Sequence, residues 1–315
     1  MTRAPLRIAI LGAGTMAPGI AAAFSVAGHR VSLWARAPER ARRGAERAQE
    51  MASYLVEQGL ADQTGRVEVA ERLEQAAAAD VVIEAITEDL RAKRDLFADL
   101  ERVAPAEALF ATNTSGLRVS DIGASLSRPD RLVAMHFWNP AHLMPLVEVA
   151  GERATPDRLQ QASELALAIG KVPVRLEREV LGFLGVRLQQ AVVREAIALV
   201  EHGVASAEDV DLAVRASFGV RFPVIGPLES ADLSGLDVIA AIHSYLLRDL
   251  DRAAEPQRLL REHVAAGALG VKSGRGFFDW SIRDPQLTIR RRDEELVRRL
   301  KLRASEQRAS ADVRG

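Results

Sequence analysis

The 315-residue chain contains no cysteine. That absence removes disulfide frameworks, thiolate zinc sites, iron–sulfur clusters and cysteine nucleophiles together. It also fits a reducing compartment, so a cytoplasmic location is expected. Aromatic residues make up only 4% of the chain, which weighs against stacking platforms for single-stranded nucleic acid. No uninterrupted apolar run reaches about 18 residues, and residues 1–30 lack the basic-then-apolar pattern of a secretory leader, so no membrane span or signal segment is expected. An excess of one charge sign is missing too. The 42 Lys and Arg against 43 Asp and Glu leave a net charge of −1, and no strong field toward nucleic acid or a membrane follows.

A hydrophobic share of 48% and a charged share of 27% describe an ordinary globular protein, long enough for about two domains at roughly 150 residues each. Short apolar runs at Leu6–Leu11, Val31–Trp34, Val81–Ile86 and Ala108–Ala111 alternate with amphipathic segments. This is the pattern of a parallel sheet covered on both faces. Leu132–Phe137 and Leu146–Val149 are separated by Asn139-Pro140-Ala141-His142, too short a link for a helical crossover, which predicts an antiparallel hairpin. Beyond Leu181-Gly182-Phe183 the chain turns helical, starting with Arg187–Glu201 before Gly203. The expected fold class is α/β, a Rossmann-type cofactor domain followed by an all-helical C-terminal domain. The bounds are 1–179, then 180–282 for the helical part, then a charged tail over 283–315 that reads as a solvated terminal helix.

Gly12-Ala13-Gly14-Thr15-Met16-Ala17 follows the first run directly and opens a helix over Gly19–Ala27, the context that a dinucleotide fingerprint requires. Gly12 serves the tight turn, Gly14 lets backbone approach a pyrophosphate, and Ala17 is small enough for helix–strand packing. Pro18 in the first turn costs little because its missing donor is not needed there. At the end of the second run, where NAD enzymes of this kind carry an acidic residue for the ribose, stand Ala35 and Arg36. A small residue beside a guanidinium suits the 2′-phosphate of NADP.

Gly12–Gly19, Glu84-Ala85-Ile86-Thr87-Glu88, Asn113-Thr114-Ser115, His136-Phe137-Trp138-Asn139-Pro140, Pro145–Glu148 and Gly270–Phe278 occur in this order. In that order the chain resembles the L-3-hydroxyacyl-CoA dehydrogenases from Arg7 to Trp280. The stretch Gly219–Leu236 is similar to the branch holding L-gulonate 3-dehydrogenase, lambda-crystallin and carnitine dehydrogenase. The resemblance implies NAD as cofactor, a 3-hydroxyacyl thioester or small 3-hydroxy acid as substrate, and a homodimer. It puts His136 and Glu148 in the catalytic pair and Ser115 on the reacting oxygen. Gly12, Gly14, Thr15, Met16, Ala17, Ala35, Arg36, Glu88, Lys93 and Asn113 then form the cofactor site. The residues read the same way on their own. Oxidising a secondary alcohol requires a base near working pH, which histidine supplies, and a carboxylate on the ring fixes its tautomer. The remaining histidines show no metal-ligand spacing, and no metal is expected.

The match breaks at Gly182-Phe183-Leu184-Gly185-Val186-Arg187. There the family pattern is Gly-Phe, two apolar residues, Asn, Arg, so Val186 stands in place of an active-site asparagine and Leu181 in place of a usual proline. Two other readings follow from this sequence. One is a dinucleotide-binding protein of low turnover with a structural or sensory role, which Val186 favours. The other is the neighbouring lysine-dependent dehydrogenases, the 6-phosphogluconate and glycerol-3-phosphate types, which the His136…Glu148 order and the lack of their lysine motif disfavour. Arg36, Arg40, Arg42, Arg43 and Arg47 form a basic stretch where the acyl-CoA enzymes hold CoA phosphates; a solvated helix face accounts for most of them.

Overall fold

The structure is a computed structural model that describes residues 4–312. Among these residues it forms two compact units, 4–186 with 290–312, and 187–289. The sequence reading put the boundary near Glu179 and set 283–315 apart as a tail. The compact units divide after Val186, and the terminal helix from Arg290 belongs to the first unit.

The first unit is an eight-stranded sheet of β1 (Arg7–Leu11), β2 (Arg30–Trp34), β3 (Val67–Val69), β4 (Val81–Glu84), β5 (Leu109–Thr112), β6 (Leu132–Phe137), β7 (Leu146–Ala150) and β8 (Val172–Arg175). Its order is β3-β2-β1-β4-β5-β6-β7-β8. All neighbours are parallel except the antiparallel pair β6 and β7, a Rossmann-type sheet with an appended hairpin. The strands read as unbroken apolar runs because both faces are covered. Ile8 and Ile10 enter one core, with Phe24 and Ala45, while Ala9 and Leu11 enter the other, with Phe97 and Phe110, as a period of two requires.

Helices α1 (Met16–Val26), α2 (Pro38–Glu57), α3 (Leu73–Ala77), α4 (Leu90–Val103), α5 (Val119–Ile122) and α6 (Pro156–Ala168) connect the strands. Side chains that satisfy free amides at a helix start fix two of these beginnings: Asp89 accepts from Ala92 N–H for α4, and Thr155 from Arg158 N–H, with Pro156 next, for α6. The second unit carries α7 (Gly185–Glu201, which begins in the first unit), α8 (Ala207–Ala216), α9 (Phe218–Arg221), α10 (Pro227–Ser234), α11 (Leu236–Leu246) and α12 (Arg258–Ala265). Helix α13 (Pro285–Asp312) closes the chain. Val297 on α13 is buried with Leu55 of α2 and Leu143 of the hairpin loop, so this charged helix has one anchored face. No helix of the described residues is long and apolar enough to cross a membrane.

Candidate active site

The glycine turn leaves the carboxyl end of β1. Gly12 N–H donates to the Trp34 carbonyl at 2.8 Å. Its φ of +127° lies where L side chains are rarely found, and a Cβ there would stand 2.4 Å from the Ala85 carbonyl oxygen, so glycine is required by close approach as well as by conformation. Gly14 differs, because a Cβ on it would meet nothing within 4 Å. Thr15 and Met16 start α1, whose first turn has neither an acidic residue nor a side-chain cap. Free amides, the positive end of the helix dipole and an open glycine together fit a dinucleotide pyrophosphate. Ala17 is fully buried, and at Gly19 a Cβ would press on Ala141 and His142 at 3.2 Å, so α1 lies directly against the hairpin loop. Ala35 is half-buried and Arg36 exposed at the end of β2, and Arg40, Arg42, Arg43 and Arg47 are all exposed along α2.

Beyond β4 a chain of charges ties two loops together. Glu84 is fully buried and accepts from Lys93 Nζ at 2.6 Å, from Thr112 Oγ1 at 2.7 Å and from Ile86 N–H at 2.7 Å. Lys93, only 1% exposed, also reaches Glu88 at 3.3 Å. Glu88 in turn accepts from Thr114 Oγ1 at 2.6 Å, Ser115 N–H at 2.9 Å and Gly116 N–H at 3.0 Å. Burial alone would raise the Glu88 carboxyl; these donors and the Lys93 charge hold it below its ordinary value. Glu88 lies in the turn before α4, and Lys93 is buried beneath it. Asn113 joins β5 to the hairpin, its Oδ1 accepting from Phe137 N–H at 2.8 Å. Ser115, two residues on, is exposed.

The β6–β7 register sets His136 directly opposite Glu148, which is what their 12-residue separation across a hairpin means in space. His136 Nδ1 lies 2.8 Å from Glu148 Oε2. An ionised carboxylate accepts only, so Nδ1 is the donor of this pair and, in the neutral ring, Nε2 is the nitrogen that carries the lone pair. Glu148 is fully buried and also accepts from Trp138 Nε1 at 3.0 Å, Leu184 N–H at 2.9 Å and Gly185 N–H at 3.0 Å. Burial pushes its carboxyl up, but the donors outweigh burial and hold it below the ordinary carboxylate value. Phe183 stacks on the His136 ring with centroids 5.2 Å apart and planes 14° apart. Its φ of +48° is unusual for a bulky residue, and this strain is held by the two amides that follow it on Glu148.

The hairpin loop is held from below. Lys171 Nζ donates to the carbonyls of Ala141, His142 and Met144 at 2.7, 3.2 and 2.9 Å, and burial pushes its ammonium down to about 7. Trp138, Phe183 and Gly185 stand in stretches that carry or break the family pattern, yet neither they nor Lys171 could be given a role from sequence, because each acts through a tertiary contact. Val186 is half-buried in the first turn of α7. His142 lies in the same loop but not at the pair. Among the described residues no group of His, Asp and Glu is placed to hold a metal ion.

Residues 7–180 match the family model "3-hydroxyacyl-CoA dehydrogenase, NAD binding domain" and residues 182–280 match "3-hydroxyacyl-CoA dehydrogenase, C-terminal domain". The chain belongs to the 3-hydroxyacyl-CoA dehydrogenase family. Within that family its first unit contains the NAD-binding domain. A probable 3-hydroxybutyryl-CoA dehydrogenase of Bacillus subtilis is 38% identical over 282 residues, 87% of this chain and 97% of the relative. L-Carnitine dehydrogenase of Streptomyces coelicolor is 39% identical over 236 residues, 73% of each chain. The solved structure of 5-formyl-3-hydroxy-2-methylpyridine 4-carboxylic acid 5-dehydrogenase, described as an NAD+-dependent dismutase, matches with a TM-score of 0.88 at 32% identity, covering 93% of this chain and 97% of that one. The relatives are dehydrogenases of hydroxyacyl-CoA or small hydroxy acid substrates.

Proposed function

We propose that the protein is an NAD-dependent dehydrogenase of a small hydroxy or aldehyde carboxylate, or of a 3-hydroxyacyl thioester, with His136 as general base in oxidation and general acid in reduction. The observation that carries this reading is the 2.8 Å contact between His136 Nδ1 and a buried, fully hydrogen-bonded Glu148. With Nδ1–H committed, Nε2 is left to take the hydroxyl proton of an alcohol, or of the hydrate that an aldehyde forms with water, and Glu148 stabilises the imidazolium that results. Ser115, on the loop fixed by Glu88, is proposed to hold the reacting oxygen. Gly12, Gly14, Thr15, Met16, Ala17, Ala35, Arg36, Glu88 and Asn113 are proposed to hold the cofactor, with Lys93 acting from beneath Glu88. The nicotinamide, when bound, supplies the hydride acceptor, which explains how a chain without cysteine can serve a redox step.

A free carboxylate is placed ahead of a CoA thioester because the relative matched at a TM-score of 0.88 acts on a pyridine carboxylic acid. NAD is placed ahead of NADP on the matched domain, although Arg36 would tolerate a 2′-phosphate. A homodimer completes the reading. The test is a matrix of NAD+ and NADP+ against small 3-hydroxy acids, pyridine aldehyde carboxylates and 3-hydroxyacyl-CoA thioesters, assayed in both directions. Turnover of one class with NAD+ supports the proposal. Tight NAD+ binding with no turnover of any class would favour a binding protein of low turnover, a reading for which Val186 speaks, since valine supplies no polar partner to a substrate. Val186→Asn then shows whether activity appears.

A further inference from the structure

We propose that Trp138 is a positioning residue that tunes the His136–Glu148 pair, and that Gly185 exists as glycine to admit it; this rests on the reading of His136 as the base. The two oxygens of Glu148 are used differently. Oε1 receives the amides of Leu184 and Gly185 and is thereby pinned to the start of α7. Oε2 alone faces the imidazole, and it is shared, with His136 Nδ1 at 2.8 Å and Trp138 Nε1 at 3.0 Å. The four donors fill the carboxylate's acceptor sites.

Sharing Oε2 has a direction. The indole N–H withdraws part of the charge that would otherwise act on the ring, so it weakens the grip of Glu148 on the imidazolium and favours the neutral base. It also blocks rotation of the carboxylate away from His136. The indole reaches this place because Gly185 has no side chain. A Cβ there would stand 2.5 Å from Trp138 Cζ2, closer than real packing allows, and a tight 3.2 Å from Cε2. Gly185 therefore contributes twice, with its amide on Oε1 and its bare Cα beneath the indole that serves Oε2. The rings of Trp138 (centroid 5.8 Å, tilted) and Phe183 pack against His136, and neither titrates. Among the described residues Glu148 on β7 is the charged group in contact with the His136 ring.

The experiment compares wild type, Trp138→Phe, Gly185→Ala and the double variant as full chains. Two readouts are taken: NMR titration of the His136 ring without cofactor or substrate, assigned by its loss in His136→Gln, and the pH profile of kcat/KM for oxidation. Trp138→Phe keeps an aromatic ring and removes the donor. It is expected to move the ring's protonation and the acid limb of the profile to higher pH by about half a unit, the scale of one weak hydrogen bond. Gly185→Ala, which displaces the indole, is expected to shift both in the same direction, and to add nothing once Trp138 is Phe. If Trp138→Phe leaves the titration unmoved, or only lowers the melting temperature, Trp138 is packing and the proposal is overturned. Equal effects of Gly185→Ala in the Trp and Phe backgrounds overturn the coupling. A shifted ring titration in a protein that turns over no substrate defeats the assigned function and leaves this inference standing.

Discussion

A histidine becomes a useful base when one nitrogen is committed and the other is left free, and His136 meets that condition through one contact with Glu148. His136→Ala is expected to lower kcat by about 10²–10⁴ while leaving the NAD+ dissociation constant within about threefold of wild type, since no residue of the glycine turn is touched; steady-state rates and isothermal calorimetry check the two halves. The contact was legible in the sequence because the expected hairpin brings the two residues together, while the role of the pair came from the family resemblance. Trp138 and Lys171 were not, since nothing local announces which carboxylate or carbonyl a side chain will meet. His142, in the same loop, illustrates the cost of a histidine placed the other way. Its Nδ1 is buried without a partner among the described residues. Burial first, and the Lys171 ammonium second, push its pKa down to about 4; Asp293 opposes them and Arg292 adds to them. The unfolded chain takes up this proton below about 6.5 and the folded one only near 4, so the unfolded state binds more protons between those values. Stability is therefore lost as pH falls from 6.5 toward 4, by on the order of 2 kcal/mol. His142→Phe, which keeps the edge contact with Tyr54, is expected to flatten this slope in urea unfolding at pH 7 and 4.5. An unchanged difference between the two pH values would refute it.

At the scale of elements, legibility followed length and burial. The strands β1, β2, β6 and β7 announced themselves as apolar runs, and the structure moves their ends by at most a residue. Val67–Val69 and Val172–Arg175 were missed, the first because three residues make no period, the second because Pro173 demotes a strand; as β8 it pairs only with β7, at the sheet edge. Val81–Ile86 was read too long, since Ala85 and Ile86 already turn toward the Gly12 loop. The reading of the C-terminal helix as solvated was right for most of its side chains and missed its anchor. Val297 is 5% exposed against Leu55 and Leu143, and Leu143 follows His142 in the hairpin loop. Val297→Ala is expected to cost about 2 kcal/mol in unfolding free energy, and Val297→Asp more, because a carboxylate would be buried without a partner. Denaturant midpoints measure both. If Val297→Asp unfolds at the wild-type midpoint, the helix contributes nothing to the first unit.

For the whole molecule the informative contrast lies within the second unit. Its buried apolar side chains are Ile197, Ala198 and Val210, a small core for six helices. Large apolar residues stand open instead: Val224 is 84% exposed, Leu228 81%, Leu233 74% and Leu236 63%. They cluster on α10, its approach and the start of α11. Hydrophobic burial is the main term that opposes chain entropy, and a helical unit with so little of it is not stable in water by itself. Large apolar side chains left open in such number on neighbouring elements are what an interface would cover. A second copy of the chain is the simplest cover, since the same surface is then satisfied on both molecules by one two-fold contact. Wild type is expected to sediment as a dimer at micromolar concentration. Leu228→Asp with Leu233→Asp places two charges in that contact, and the doubly substituted chain is expected to sediment as a monomer and to lose helical signal at a lower temperature, while its first unit still binds NAD+. A wild-type monomer in sedimentation, or a substituted chain that remains dimeric, would place the covering surface elsewhere. The paired loss of association and of helix is the expected signature, because in a unit with three buried apolar side chains assembly and folding draw on the same surface.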